Sequence, residues 1–112
     1  MYIIPVVNPD GLAYIEANGQ PPPCGGCDCD DELTLKTKNT RRVSDLCEDG
    51  LQGVNLYRNY DYSWAEANGE DVDQQVCSKT YRGEAPFSES ETQAVRDFVL
   101  SHQDTLKFVV NY

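Results

Sequence analysis

The sequence predicts an α/β fold: part of a mixed, mainly parallel sheet flanked by helices, incomplete by itself. Three observations predict it. Residues 2–7 and 106–110 are short runs that are apolar on both faces, as strands inside a helix-covered sheet are. A segment beginning at Ser88 carries a helix-start signature followed by an apolar face at helical spacing. The order strand, long crossover, helix, strand joins two parallel strands with a right-handed connection.

Each element has a local reason. The first strand ends at Asn8-Pro9-Asp10-Gly11, four turn formers in a row. Residues 19–32 are rich in Gly, Pro, Cys and acid and predict a surface loop. The alternation in residues 53–60 predicts a strand or an extended loop, and residues 68–75 are again polar and acidic. Ser88 followed by Glu91 is a capping box, in which hydroxyl and carboxylate each satisfy a free backbone donor. Ala94, Val95, Phe98 and Val99 then form one face, and His102 falls at the helix end, where a cation suits the dipole. Loops of more than a dozen residues without structure of their own, and two buried strands with nothing to cover them, predict that residues 1–112 are an internal piece of one larger domain.

Composition excludes several functions. Nine Lys plus Arg against nineteen Asp plus Glu give a net charge of -10 over 112 residues, with no basic stripe for nucleic acid. No apolar run approaches the roughly 20 residues of a membrane-spanning helix. At 39% hydrophobic and 10% aromatic the chain is too apolar to be disordered throughout. Five cysteines, Cys24, Cys27, Cys29, Cys47 and Cys77, point to an oxidising compartment, although no secretory signal follows Met1. Cys24, Cys27 and Cys29 have the spacing of a weak thiolate metal motif, and a second disulfide or a loop insertion is the favoured reading. Asp28, Asp30, Asp31 and Glu32 lack EF-hand spacing and read as a solvated loop, as do Glu66, Glu70, Asp71 and Asp73. Trp64 and the seven tyrosines read as packing residues with a polar tip.

Three ordered blocks carry a family resemblance. Residues 5–11, residues 53–61, and Thr80-Tyr81-Arg82-Gly83 with residues 87–92 are similar, in order and spacing, to zinc metallocarboxypeptidases of the carboxypeptidase A and B type. The resemblance covers most of the chain, interrupted mainly at residues 20–32, and corresponds to about a third of such a catalytic domain. It implies a secreted or vacuolar exopeptidase that releases C-terminal amino acids from peptides or proteins. Zinc is held in that family by an H-x-x-E motif and a second His, leaving a position for water whose pKa falls toward about 7.

Carried over by residue, Arg58 matches an Arg that grips the substrate's terminal carboxylate, a task suited to its fork geometry. Asn59 matches the following Asn. Tyr57 stands where the family has an Asn that helps hold the same carboxylate. Thr37 stands where the family has an Arg that polarises the scissile carbonyl, unless Lys36 or Lys38 takes that place. Cys47 and Cys77 match a disulfide of vertebrate pancreatic members, and its loop of about 30 residues would contribute about 3 to 4 kcal/mol.

No H-x-x-E occurs in the sequence, and His102 is its one histidine. The resemblance therefore implies that the zinc ligands and the general base belong to the rest of the catalytic domain, and that this chain alone is inactive. Two other readings stand beside it. One is a carboxypeptidase-like binding or structural protein that lost the chemistry, and the other is a small cysteine-stapled acidic module.

Overall fold

The computed structural model describes residues 1–18, 36–64 and 74–110. The expected loop at 19–32, with Cys24, Cys27 and Cys29, lies outside them, as do the acidic residues 66–73.

Asn8-Pro9-Asp10-Gly11 opens a helix rather than closing a turn. Helix α1 runs Pro9–Asn18. The Asn8 side-chain oxygen accepts the Gly11 N–H at 2.8 Å, and its carbonyl accepts the Leu12 N–H at 3.2 Å, so Asn8 is the cap. Pro9 fills the first helical position, where no N–H is needed. The Asn8 amide also donates to the carbonyls of Lys36 and Lys38, at 3.0 and 3.2 Å, and so docks α1 on the middle of the chain.

No strand forms among the described residues, which departs from the expected sheet. Residues 2–7 and 106–110 are largely exposed, Ile3 at 69% and Phe108 at 79%, and enter no ladder. A two-faced apolar strand needs neighbours on both edges and both faces, and the described residues supply none. At residues 53–60 the chain makes one antiparallel bridge, Lys38 to Asn55, and then curls into a short 3-10 turn at Leu56–Arg58. Asn55 causes the curl, because its side chain accepts the Tyr57 N–H at 3.1 Å.

Helix α2 runs Ser90–Ser101 with Glu89 at the cap, one residue beyond the expected cap at Ser88. The Ser88 hydroxyl donates to the Glu89 carboxylate at 2.7 Å, and Glu91 accepts from the Asn39 amide at 3.3 Å. The capping box is thus unmade in favour of a tertiary network. His102 caps the C-terminal end, where Tyr2, Phe98 and His102 pack ring against ring at 4.3 to 5.2 Å and pin the first residues to α2.

Among the described residues the interior is mostly polar. Cys47, Val54, Leu56 and Tyr81 are its buried apolar residues, beside Lys38, Asn39, Gln52, Asn55, Asn59, Arg82, Glu89 and Thr92. Among the described residues no buried side-chain nitrogen or oxygen lacks a hydrogen bond, as the cost of orphaned polar groups demands. A disulfide joins Cys47 to Cys77 across 30 residues, the pairing that the resemblance implies.

Candidate substrate-binding site

The turn at Leu56–Arg58 presents two side chains outward and is anchored by the residue after it. Tyr57 and Arg58 are exposed, whereas Asn59 is fully buried. The Asn59 amide donates to the carbonyls of Arg82 and Ala85 and to the Ser88 hydroxyl, at 2.8, 3.1 and 2.8 Å. Its oxygen accepts the Glu89 N–H at 3.2 Å and the Thr92 hydroxyl at 2.7 Å. One amide thus fastens the turn to the start of α2. Gly83 lets it do so, since at a φ of +89° and pressed against Ser88 and Asn59 it has no room for a Cβ.

Above this anchor lies a cavity of about 210 Å³ lined by Tyr57, Arg58, Tyr60, Tyr62, Trp64 and Arg82. Arg82 forms its floor, donating to the Trp64 carbonyl at 2.8 Å with its guanidinium 4.5 Å from the indole ring. The Tyr60 ring meets Phe87 edge-on at 5.7 Å. Burial, and secondarily the neighbouring Tyr57 hydroxyl, raises the Tyr60 phenol above its ordinary value. The site therefore sets the Arg58 guanidinium beside aromatic surface.

Thr37 lies behind the turn, where its hydroxyl accepts from the Asn55 amide at 3.3 Å. Both neighbouring lysines are bonded to main-chain carbonyls. Lys36 donates to the carbonyls of Gly50 and Gln52, at 2.8 and 3.1 Å, and Lys38 to those of Leu51, Val76 and Ser78. Burial, then the nearby Lys36 charge, pulls the Lys38 ammonium down to about 8, and burial also lowers Lys36.

A second, more open groove of about 430 Å³ runs past Asp10, Asn39, Arg41, Glu89 and Glu91. Its charged groups find partners within the chain. Arg41 pairs with Glu84 at 2.7 Å and with buried Glu89 at 3.1 Å, while Asn39 donates to Glu89 at 2.8 Å. Asn39 also accepts the Val54 N–H at 2.9 Å, which makes Asn39 and Glu89 the links between the site and α2. Sequence reasoning missed both; for Glu89 the available signal was its place in the block at residues 87–92.

Among the described residues no three of His, Cys, Asp and Glu gather as metal ligands. Those residues do not fit a zinc ion. Among them, too, no helix is long and apolar enough to cross a membrane.

Comparison with known proteins bears on the whole chain. Residues 1–112 match the zinc carboxypeptidase family. Carboxypeptidase B of Astacus astacus is 32% identical over 112 residues, covering 99% of this chain and 30% of that protein. Carboxypeptidase B of Rattus norvegicus is 33% identical over 106 residues, covering 95% of this chain and 21% of that protein. Mast cell carboxypeptidase A of the same species is 30% identical over 111 residues, covering 99% and 22%. The chain thus spans less than a third of these relatives. An α/β fold is consistent with the match, although the described residues contain no sheet. Three ordered sequence blocks, a buried asparagine holding an arginine-bearing turn, and a match along the full chain lead to one assignment: this chain belongs to the zinc carboxypeptidase family.

Proposed function

We propose that this chain is a portion of a metallocarboxypeptidase catalytic domain that releases C-terminal amino acids from peptides by metal-activated water. Arg58 grips the terminal carboxylate, Tyr57 lies beside it as a phenol donor, and Asn59 holds the turn from beneath. The observation that carries this reading is the exposed Arg58 on a turn whose next residue is locked by five hydrogen bonds, within a chain matched to that family throughout. Zinc belongs to the complete domain, where it would supply the activated water, and its ligands lie outside this chain. The Cys47–Cys77 bridge supports an oxidising compartment, secreted or vacuolar.

The test uses the single tryptophan, which lines the same cavity as Arg58. N-acetylphenylalanine should perturb Trp64 fluorescence, its C-terminal amide should not, and Arg58→Met should abolish the response. Equal responses to acid and amide would refute the carboxylate clamp. A hippuryl-amino-acid assay with added zinc should show no turnover by the 112-residue chain.

A second reading, a carboxypeptidase-like protein without chemistry, is favoured by one observation. Thr37 replaces a polarising Arg, and Lys36 and Lys38 are both committed to main-chain carbonyls. Losing such a donor typically costs 10²-fold or more in rate. In the full-length protein, Thr37→Arg with Tyr57→Asn should raise peptide hydrolysis at least that far if this reading holds. An already active parent would exclude it.

A further inference from the structure

The Lys38 ammonium is spent on main-chain carbonyls: Leu51 at 2.5 Å, Ser78 at 2.9 Å and Val76 at 3.4 Å. These acceptors come from two segments. Leu51 follows Cys47 closely, and Val76 and Ser78 flank Cys77 on either side. One ammonium therefore spans the same two segments that the disulfide joins. Lys36 provides a contrast within the same fold, because its acceptors, Gly50 and Gln52, both lie on the Cys47 side.

We infer that Lys38 and the Cys47–Cys77 bridge are coupled cross-links, the ammonium holding both cysteine segments together so that the disulfide resists reduction. The chemistry is ordinary thiol exchange. A dithiol reductant's thiolate attacks one bridge sulfur and the S–S bond breaks. The reductant's second thiolate then closes on the mixed disulfide, leaving two cysteine thiols and an oxidised reductant. Re-formation of the bridge depends on the effective concentration of one thiol at the other. A cation that grips both segments raises it. By linkage the effect is reciprocal, so an intact bridge also keeps Lys38 at its carbonyls.

The consequence reaches the site. Lys38 forms the bridge to Asn55, and the Asn39 N–H donates to the Val54 carbonyl at 3.1 Å, so the strip that carries Lys38 also backs the Arg58 turn.

The test equilibrates the 112-residue chain in graded ratios of reduced to oxidised dithiothreitol, then follows Cys47 and Cys77 by differential alkylation and peptide mass spectrometry. Lys38→Met should shift the midpoint toward reduction by roughly tenfold, the scale of one charged hydrogen-bond set. Lys36→Met should shift it by no more than about twofold, since its acceptors lie on one side only. Equal shifts in the two variants, or none in Lys38→Met, would overturn the coupling. A second measurement needs no variant: acetic anhydride should label the Lys38 amine roughly tenfold faster in the reduced chain than in the oxidised one, by the same linkage. Identical labelling rates would sink the idea even if Lys38→Met failed to fold.

Discussion

Asn59 makes five hydrogen bonds from a single amide, three of them to main-chain atoms. Truncation to alanine would strand several buried partners at once, so Asn59→Ala should cost on the order of 3 kcal/mol or more in urea unfolding. Lys38 brings a pH dependence with a definite sign. Its ammonium sits at about 8 in the fold against an ordinary 10.5, and Lys36 is lowered too. Between pH 8 and 10 the unfolded chain therefore binds more protons than the folded one, and stability rises with pH. Tyr60 and Tyr81 act oppositely. Burial lifts both phenols above 10.0, so beyond that pH the unfolded chain sheds protons that the fold retains, and stability falls. Urea midpoints measured across pH 7 to 11 should peak near 10, and Lys38→Met should flatten the rise. Of these residues, Arg58 and Asn59 stood out in the sequence through their place in a resembling block, and their exposure and burial did not. The commitment of Lys36 and Lys38 to carbonyls was not, because a lysine's partners here lie 13 to 40 residues away along the chain.

At the scale of elements, the two helices show where local signals suffice and where they fail. Asn8-Pro9 satisfies the rules for a turn and for a helix N-terminus equally well. The choice fell to the helix together with the bonds from the Asn8 amide to the carbonyls of Lys36 and Lys38, which no local window contains. Asn8→Ala should cost about 1 kcal/mol for the lost cap and more for the lost docking, seen as earlier loss of helical circular dichroism. Helix α2 was legible in type and nearly in position. Its cap moved one residue because Ser88 and Glu91 found partners in Asn59, Glu89 and Asn39 instead of each other. The expected strands failed for a different reason. Apolar periodicity reports how a segment would pack given neighbours, and among the described residues those neighbours are absent.

For the molecule as a whole, apolar area is left uncovered at both sets of expected strands, with Ile3, Phe108, Val109 and Val110 all more than half exposed. Surfaces of that kind favour association. The chain should therefore scatter light increasingly with concentration, and Ile3→Lys with Phe108→Lys should suppress the effect. The polar interior has another outcome, visible to a protease. All nine basic residues fall between positions 36 and 107, within the described segments. Trypsin acting on the native chain should open it first after solvent-facing Arg42 or Lys107, while the bonds that follow Lys38 and Arg82 survive until the fold itself gives way. The order in which fragments appear would then chart, without any spectroscopy, how firmly each cation is bound into its carbonyls and rings.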